Sequence, residues 1–277
     1  MEKINKKIIY YHLPKSGGTT LTNIFLSIFT NPYRIYGFQI KNNHTPSSYE
    51  NFTINLESIK KNNYDFISGH IQFLDFFRDR LSITTIRDPI ERTISHYNNL
   101  FDRGIVNSSM TLEDCFKEGF IPENPITQMF SCNNSEKTEL NYKNKEIAIN
   151  NLKKIDFLVN SNDVDKLINH IISLYDLPNV LFQRLHKRRE NFFKINNLSE
   201  EVVKQYNLYD LDIYNQLRTN ESFYKFSSGY KKRNKDNYLI YSIDFKIDNH
   251  NKIITPKPIF KNFINFLKKE KFIINEV

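Results

Sequence analysis

The stretch "YYHLPKSGGTTLTNIF", Tyr10 to Phe25, decides the reading of the chain. Ile8 to His12 is a short apolar run that ends at Pro14, as a buried strand would. Beyond the glycines, Leu21, Ile24, Phe25, Ile28 and Phe29 recur at the spacing of one helix face. That helix stops before Asn31-Pro32. The order is therefore strand, glycine loop, helix. Such a loop presents backbone N–H groups at the positive end of the helix dipole, which makes it an anion site. Gly17 and Gly18 permit close backbone approach, Thr19 and Thr20 add hydroxyl donors, and Lys15 adds a charge. Lys15 precedes the glycines, so the G-x-x-x-x-G-K-[ST] phosphate loop is absent.

A second motif, "TTIRDPIERTISHYNNLF", spans Thr84 to Phe101. Ser82 to Ile86 reads as a strand, and Asp88 with Pro89 and Glu91 reads as a capped helix start. Ile90, Ile94, Tyr97 and Phe101 share one face, with Arg92, Ser95 and Asn99 on or near the other. Arg87 lies where strand passes to helix. In open parallel sheets, ligands bind beyond the carboxyl ends of strands. Lys15, His70 and Arg87 each follow such an end, so neighbouring strands would bring all three to one crevice. Alone, Arg87 is better explained by an ion pair with Asp88 or Glu91.

Elsewhere, residues 31–63 read as a long polar loop with one short helix over Leu56 to Lys61. Tyr64 to Ser68 and Ile155 to Asn160 read as strands. Leu112 to Lys117, Asp163 to Tyr175 and Glu200 to Leu217 read as helices. Strands alternating with helices predict a three-layer α/β fold, a parallel sheet flanked by helices. Residues 1–220 are expected to form the main domain. Residues 221–277 would be a β-rich appendage, a hairpin of Tyr238 to Ile247 with Lys252 to Phe260 plus a terminal helix.

The chain of 277 residues carries a net charge of +8, which favours anionic partners. Cys115 and Cys132 lack metal-ligand spacing and suit a reducing compartment. No signal peptide and no apolar run of membrane-spanning length is visible, so a soluble, cytoplasmic protein is expected.

Together, "HLPKSGGTTL" and "TTIRDPIERTISHY" resemble the two nucleotide motifs of sulfotransferases that use 3′-phosphoadenosine 5′-phosphosulfate (PAPS). The resemblance is to the carbohydrate group that includes heparan sulfate 2-O-sulfotransferase, and to its bacterial relatives. It implies a P-loop-like fold and a 5′-phosphosulfate site at Lys15, Ser16, Gly17, Gly18, Thr19 and Thr20. It also implies a 3′-phosphate site at Arg87 and Ser95. "SGHIQFLDF", Ser68 to Phe76, is similar to the segment whose His is the family's proposed base, which makes His70 that base, while Lys15 fits the cation needed near the leaving oxygen. "NPITQMF", Asn124 to Phe130, is similar to a segment near acceptor and nucleotide, and the likeness runs over residues 8–217. The implied reaction moves a sulfuryl group from PAPS to a hydroxyl, on a glycan by analogy, and releases adenosine 3′,5′-bisphosphate. It needs no metal, no nucleic acid and no membrane span. Two other readings stay open: a phosphotransferase with a divergent loop, which would need ATP and Mg²⁺, and a non-enzymatic binder of anionic glycans.

Overall fold

The computed structural model describes residues 6–38, 56–131, 140–177, 179–181, 197–219, 238–240, 246–247 and 253–254. Strand β1 (Ile8–Tyr11) leads through the glycine loop into helix α1 (Gly18–Ile28). β2 (Pro32–Phe38), α2 (Leu56–Asn62), β3 (Phe66–His70) and β4 (Leu81–Ile86) follow. Next come α3 (Pro89–Asp102), α4 (Leu112–Lys117), α5 (Pro125–Ser131) and α6 (Tyr142–Leu152). β5 (Phe157–Asn160) and α7 (Val164–Leu174) complete the alternation, and α8 (Asn197–Tyr206) and α9 (Leu208–Thr219) lie further on.

The main sheet has the order β2-β3-β1-β4-β5 and is parallel throughout. β1 is central, pairing Tyr11 with Gly69 of β3 on one side and with Thr84 of β4 on the other. Every residue of β1 is buried. Ile8 and Tyr10 pack with Leu21, Phe25 and Leu167 from α1 and α7. Ile9 and Tyr11 pack with Met129, Phe130, Ile149 and Ile213 from α5, α6 and α9. A strand covered on both faces has no polar side, which is why it reads as an unbroken apolar run. The three-layer α/β expectation holds.

Three local expectations need correction. The stretch 31–63 contains strand β2, which forms the sheet edge beside β3. Its Pro32 can occupy a strand only at its first residue or at an edge, and β2 offers both. The helix read over Glu200 to Leu217 is two helices, broken at Asn207. Helices α5 and α6 were not read at all. In the tail, Tyr238–Ile240 (β7) pairs in parallel with Asn179–Leu181 (β6), and Lys246–Ile247 (β8) pairs antiparallel with Ile253–Ile254 (β9). The antiparallel pair falls within the expected hairpin, whereas β7 does not join it. The expected terminal helix lies outside the described residues.

Candidate active site

The chain runs from β1 through β2 to β3 on one side of β1, then crosses to β4 on the other. The point where the order reverses lies between β1 and β4, the place where open α/β sheets open a crevice for ligands. The loop after β1 carries Lys15 to Gly18, β3 ends on His70, and Arg87 follows β4. Three adjacent strands thus deliver these residues to one edge of the sheet.

The loop is shaped for an anion. Gly17 adopts φ 79 as N-cap of α1, with no side chain capping the helix, and the first turn has no acidic residue. Its leading N–H groups therefore have no capping side chain, unlike those of α3. Lys15 is also left-handed at φ 64, a conformation that costs a non-glycine residue about 1–3 kcal/mol and clusters at functional sites. Ser16 Oγ is buried without a hydrogen-bond partner among the described residues. A buried hydroxyl left this way is one that a bound oxyanion would complete. Thr19 is half-buried and Thr20 is buried. Gly18 also has a packing role. A Cβ there would overlap the Tyr10 hydroxyl and the His12 ring, so this glycine seats α1 against β1.

His70 sits at the end of β3 with its Nδ1 2.5 Å from the carbonyl oxygen of His12. A carbonyl can only accept, so Nδ1 carries the proton and Nε2 is the basic nitrogen. The His12 and His70 rings lie 4.4 Å apart. Burial pushes His70 down to about 4, the His12 hydrogen bond opposes this, and the charge of Arg34 adds to it. Burial likewise holds His12 well below the usual imidazole range, with His70, Arg34 and Lys15 contributing. Arg34, on the missed strand β2, thus acts on both histidines. Nothing in the local sequence around "PYRIYGF" pointed to it; only the sheet order brings it beside His70.

Burial also lowers Lys15 to about 8, and Arg87 is the strongest of the charges acting on it, followed by Arg103, with Asp102 opposing. Lys15 and Arg87 therefore share one electrostatic environment. Arg87 Nε is 3.1 Å from Glu91 Oε2, the ion pair that the sequence allowed. Glu91 is thus engaged by Arg87, while Asp88 alone caps α3 by accepting from Ile90 N and Glu91 N. A partly exposed pair of this kind is worth about 0–1 kcal/mol, weak enough for a phosphate to displace. Ser95 is half-buried on α3, two turns from Arg87.

Arg92 corrects the expected face of α3, because it is fully buried. Its Nη2 donates to Asn207 Oδ1 at 2.9 Å and to Thr93 Oγ1 at 3.2 Å. Asp210, also buried, is the charge that opposes the desolvation of Arg92. Asp210 accepts from Ile126 N, Thr127 N and Thr127 Oγ1, each at 2.8 Å, and so caps α5. Asn124 Oδ1 accepts in return from Tyr209 N and Asp210 N at the start of α9. The "NPITQMF" segment is thereby fixed to α9 and, through Arg92 and Asn207, to α3. Among the described residues no cluster of His, Cys, Asp or Glu could hold a metal ion, and no helix is long and apolar enough to cross a membrane.

A glycine loop after the central parallel strand, with a histidine ending one neighbouring strand and an arginine following the other, defines a three-layer α/β fold with a strand–loop–helix opening. The chain belongs to the sulfotransferase family, whose model matches residues 3–237. It is 29% identical over 136 residues to heparan sulfate 2-O-sulfotransferase hst-2 of Caenorhabditis elegans, covering 42% of this chain and 41% of that protein. To heparan sulfate 2-O-sulfotransferase 1 of Homo sapiens it is 29% identical over 136 residues, covering 43% and 38%. The chain thus spans about two fifths of the length of these relatives. A sulfotransferase structure from Alicyclobacillus acidocaldarius superposes with a TM-score of 0.42 at 10% identity, covering 77% of this chain and 96% of that one.

Proposed function

We propose that this protein transfers the sulfuryl group of PAPS to a hydroxyl of a carbohydrate acceptor. The observation that carries the reading is the adjacency of β3, β1 and β4, whose ends hold His70, Lys15 and Arg87. Family membership and the heparan sulfate 2-O-sulfotransferase relatives support the reaction class and the glycan acceptor.

The residues fit such a donor. The uncapped start of α1, the unpartnered Ser16 Oγ and the hydroxyls of Thr19 and Thr20 suit the 5′-phosphosulfate. Arg87 and Ser95 suit the 3′-phosphate, with the guanidinium exchanging Glu91 for phosphate. When bound, the donor supplies a sulfur atom whose bond to the bridging phosphate oxygen breaks as the acceptor oxygen bonds to it, the phosphate keeping the electron pair. His70 Nε2 takes the hydroxyl proton, since Nδ1 already holds one against the His12 carbonyl. Lys15 stabilises the charge that grows on the bridging oxygen. Negative charge beside His70 counteracts the burial and the Arg34 field that depress it, so its proton affinity rises in the loaded site.

The acceptor approaches from the His70 side, where Arg34 adds positive charge, and an acidic glycan suits that field. The test is incubation with PAPS and a panel of glycans, read by mass shift of the acceptor. Transfer by the wild type that is lost in both Lys15→Ala and His70→Ala is expected. Transfer retained near wild-type level in both variants would refute these roles. For Arg87→Ala, weaker binding of adenosine 3′,5′-bisphosphate is expected, and unchanged affinity would refute the 3′-phosphate role.

A further inference from the structure

The middle of α3 carries a histidine that the mechanism above leaves unused. His96 Nδ1 is shut off from solvent and has no hydrogen-bond partner among the described residues. Leaving a polar nitrogen buried in this way is costly, and in native proteins such atoms mark strain, catalysis or a missing partner. His96 follows Ser95 directly and stands one turn after Arg92. The groups whose charge reaches it are Arg92, Lys15, His70 and Arg103. Lys15 and His70 come from the ends of β1 and β3, so His96 lies within electrostatic reach of the groups at that end of the sheet. Arg92 directs Nη2 to Asn207 and Thr93.

We propose that His96 is a second histidine of the transfer site, donating its Nδ1–H to an oxygen of the transferring sulfuryl group. This rests on the sulfuryl-transfer reading. A neutral donor suits this position, because Lys15, Arg87 and Arg103 already supply full charge and the ring keeps its proton throughout. Burial and its cationic neighbours push His96 down to about 3, which keeps the imidazole uncharged at neutral pH. The two histidines then divide the work. His70, with Nδ1–H engaged by a carbonyl, accepts at Nε2; His96 donates. A directional donor aimed at developing charge in a dry site is worth about 10²–10³-fold in rate.

The experiment compares the wild type with His96→Phe, which removes the donor, and His96→Asn, whose amide sits near the Nδ1 position. Turnover with PAPS and an acceptor is measured, together with thermal stabilisation by PAPS and by adenosine 3′,5′-bisphosphate without acceptor. In His96→Phe, kcat is expected to fall about 10²-fold. The extra stabilisation that PAPS gives over the bisphosphate should disappear, while stabilisation by the bisphosphate itself stays at the wild-type level. His96→Asn should recover much of both losses. Wild-type turnover and an intact PAPS-over-bisphosphate difference in His96→Phe would overturn the assignment. So would an equal loss of stabilisation by both nucleotides in both variants, which marks a packing role. A wild type that neither binds these nucleotides nor transfers sulfate removes the sulfuryl-donor reading, and His96 with it; transfer insensitive to His96 sinks the histidine alone.

Discussion

His70 donates its Nδ1 proton to the backbone carbonyl of His12 across 2.5 Å. The bond joins the ends of β3 and β1, which run side by side in register. It selects one tautomer and aims one nitrogen, which is what a general base requires before its pKa matters. Because the acceptor is main chain, substituting the His12 side chain does not delete it. His70→Gln, which keeps a polar group without a titratable nitrogen, should lower kcat by about 10²–10⁴-fold. Affinity for adenosine 3′,5′-bisphosphate, read by calorimetry, should be unchanged. A comparable loss of affinity would mean that His70 holds the nucleotide and is not the base.

Gly18 is the position in the cradle where a methyl group does most harm. The hydroxyl it would strike belongs to Tyr10, whose Oη is 2.5 Å from Thr85 Oγ1 across β1 and β4. Gly18→Ala therefore either lifts α1 off β1 or breaks that buried bond. Overpacking of this kind typically costs about 1–3 kcal/mol. Denaturant unfolding should register that loss, and bisphosphate affinity should fall with it. Gly17→Ala would make ordinary van der Waals contact with Ser161 and Val164 but keeps a left-handed backbone, so it should cost about 1 kcal/mol and leave α1 seated. Equal stability of Gly18→Ala and the wild type would refute the seating role.

The opening strand, loop and helix were legible because every signal is local: an apolar run, two glycines, and apolar residues at helical spacing within Ile8 to Phe29. α3 was equally legible, since Asp88 caps it and Pro89 opens it. β2 escaped because "NPYRIYGF" offers a proline and a glycine but no alternation, and its pairing partner is β3, over thirty residues away. Helix α5 is only 7 residues long, and its cap, Asp210, comes from another part of the chain. Arg92 looked exposed because helix periodicity assigns faces relative to one core. α3 packs on α4 and α8 through Tyr97, Leu100, Phe116 and Val203, and Arg92 reaches Asn207 between α8 and α9. Lys15, His70 and Arg87 were named from strand-end position together with the family resemblance. Arg34 was not, because its strand β2 is set by a distant partner.

Acid should weaken this fold earlier than a protein with exposed histidines. His12, His70 and His96 are all depressed by burial, to about 4 for His70 and about 3 for His96. Unfolded, each takes up a proton near pH 6.5, while the folded protein does not until far lower. Between about pH 6.5 and 4 the unfolded state thus binds more protons, and stability falls as pH falls. Each of His70 and His96 adds at most about 1.4 kcal/mol per pH unit in that window. Urea unfolding from pH 7 to 4.5 measures this slope, and His96→Phe should flatten it. A slope identical in the variant would contradict the buried, neutral state of His96.

Lys15 sets the alkaline limit of anion binding. With burial and Arg87 lowering it to about 8, the free protein loses this charge as pH rises through 8, well below the usual lysine range. A bound phosphate favours the ammonium, so nucleotide binding above pH 8 must take up a proton. Affinity for adenosine 3′,5′-bisphosphate should be flat from pH 6.5 to 7.5 and weaken steadily above about 8. Calorimetry in two buffers of different ionisation enthalpy should register the proton uptake. In Lys15→Arg, whose charge persists, the alkaline fall should vanish, whatever the absolute affinity. Persistence of the fall would assign it to another group.

Asp210 is where the candidate site meets the rest of the fold. It caps α5 through Ile126 and Thr127, it opposes the buried charge of Arg92, and Asn124 caps α9 beside it. Removing its carboxylate strips three donors of their acceptor and leaves the Arg92 guanidinium without the charge that offsets its burial. Leaving a buried donor without its acceptor costs about 1–3 kcal/mol, and Arg92, which is not ion-paired with Asp210, loses a longer-range attraction besides. Asp210→Ala should show a loss of that size on urea unfolding. Burial raises the Asp210 carboxyl above its ordinary value, but three donors aimed at its oxygens require it as an acceptor. Asp210→Asn should accordingly be destabilised as well, since its NH₂ would face an N–H. Arg92→Met in the Asp210→Asn background removes both charges and should recover part of the loss. If the double variant is no more stable than Asp210→Asn, Arg92 and Asp210 are not energetically coupled, and α3 is held over the crevice by its apolar contacts alone.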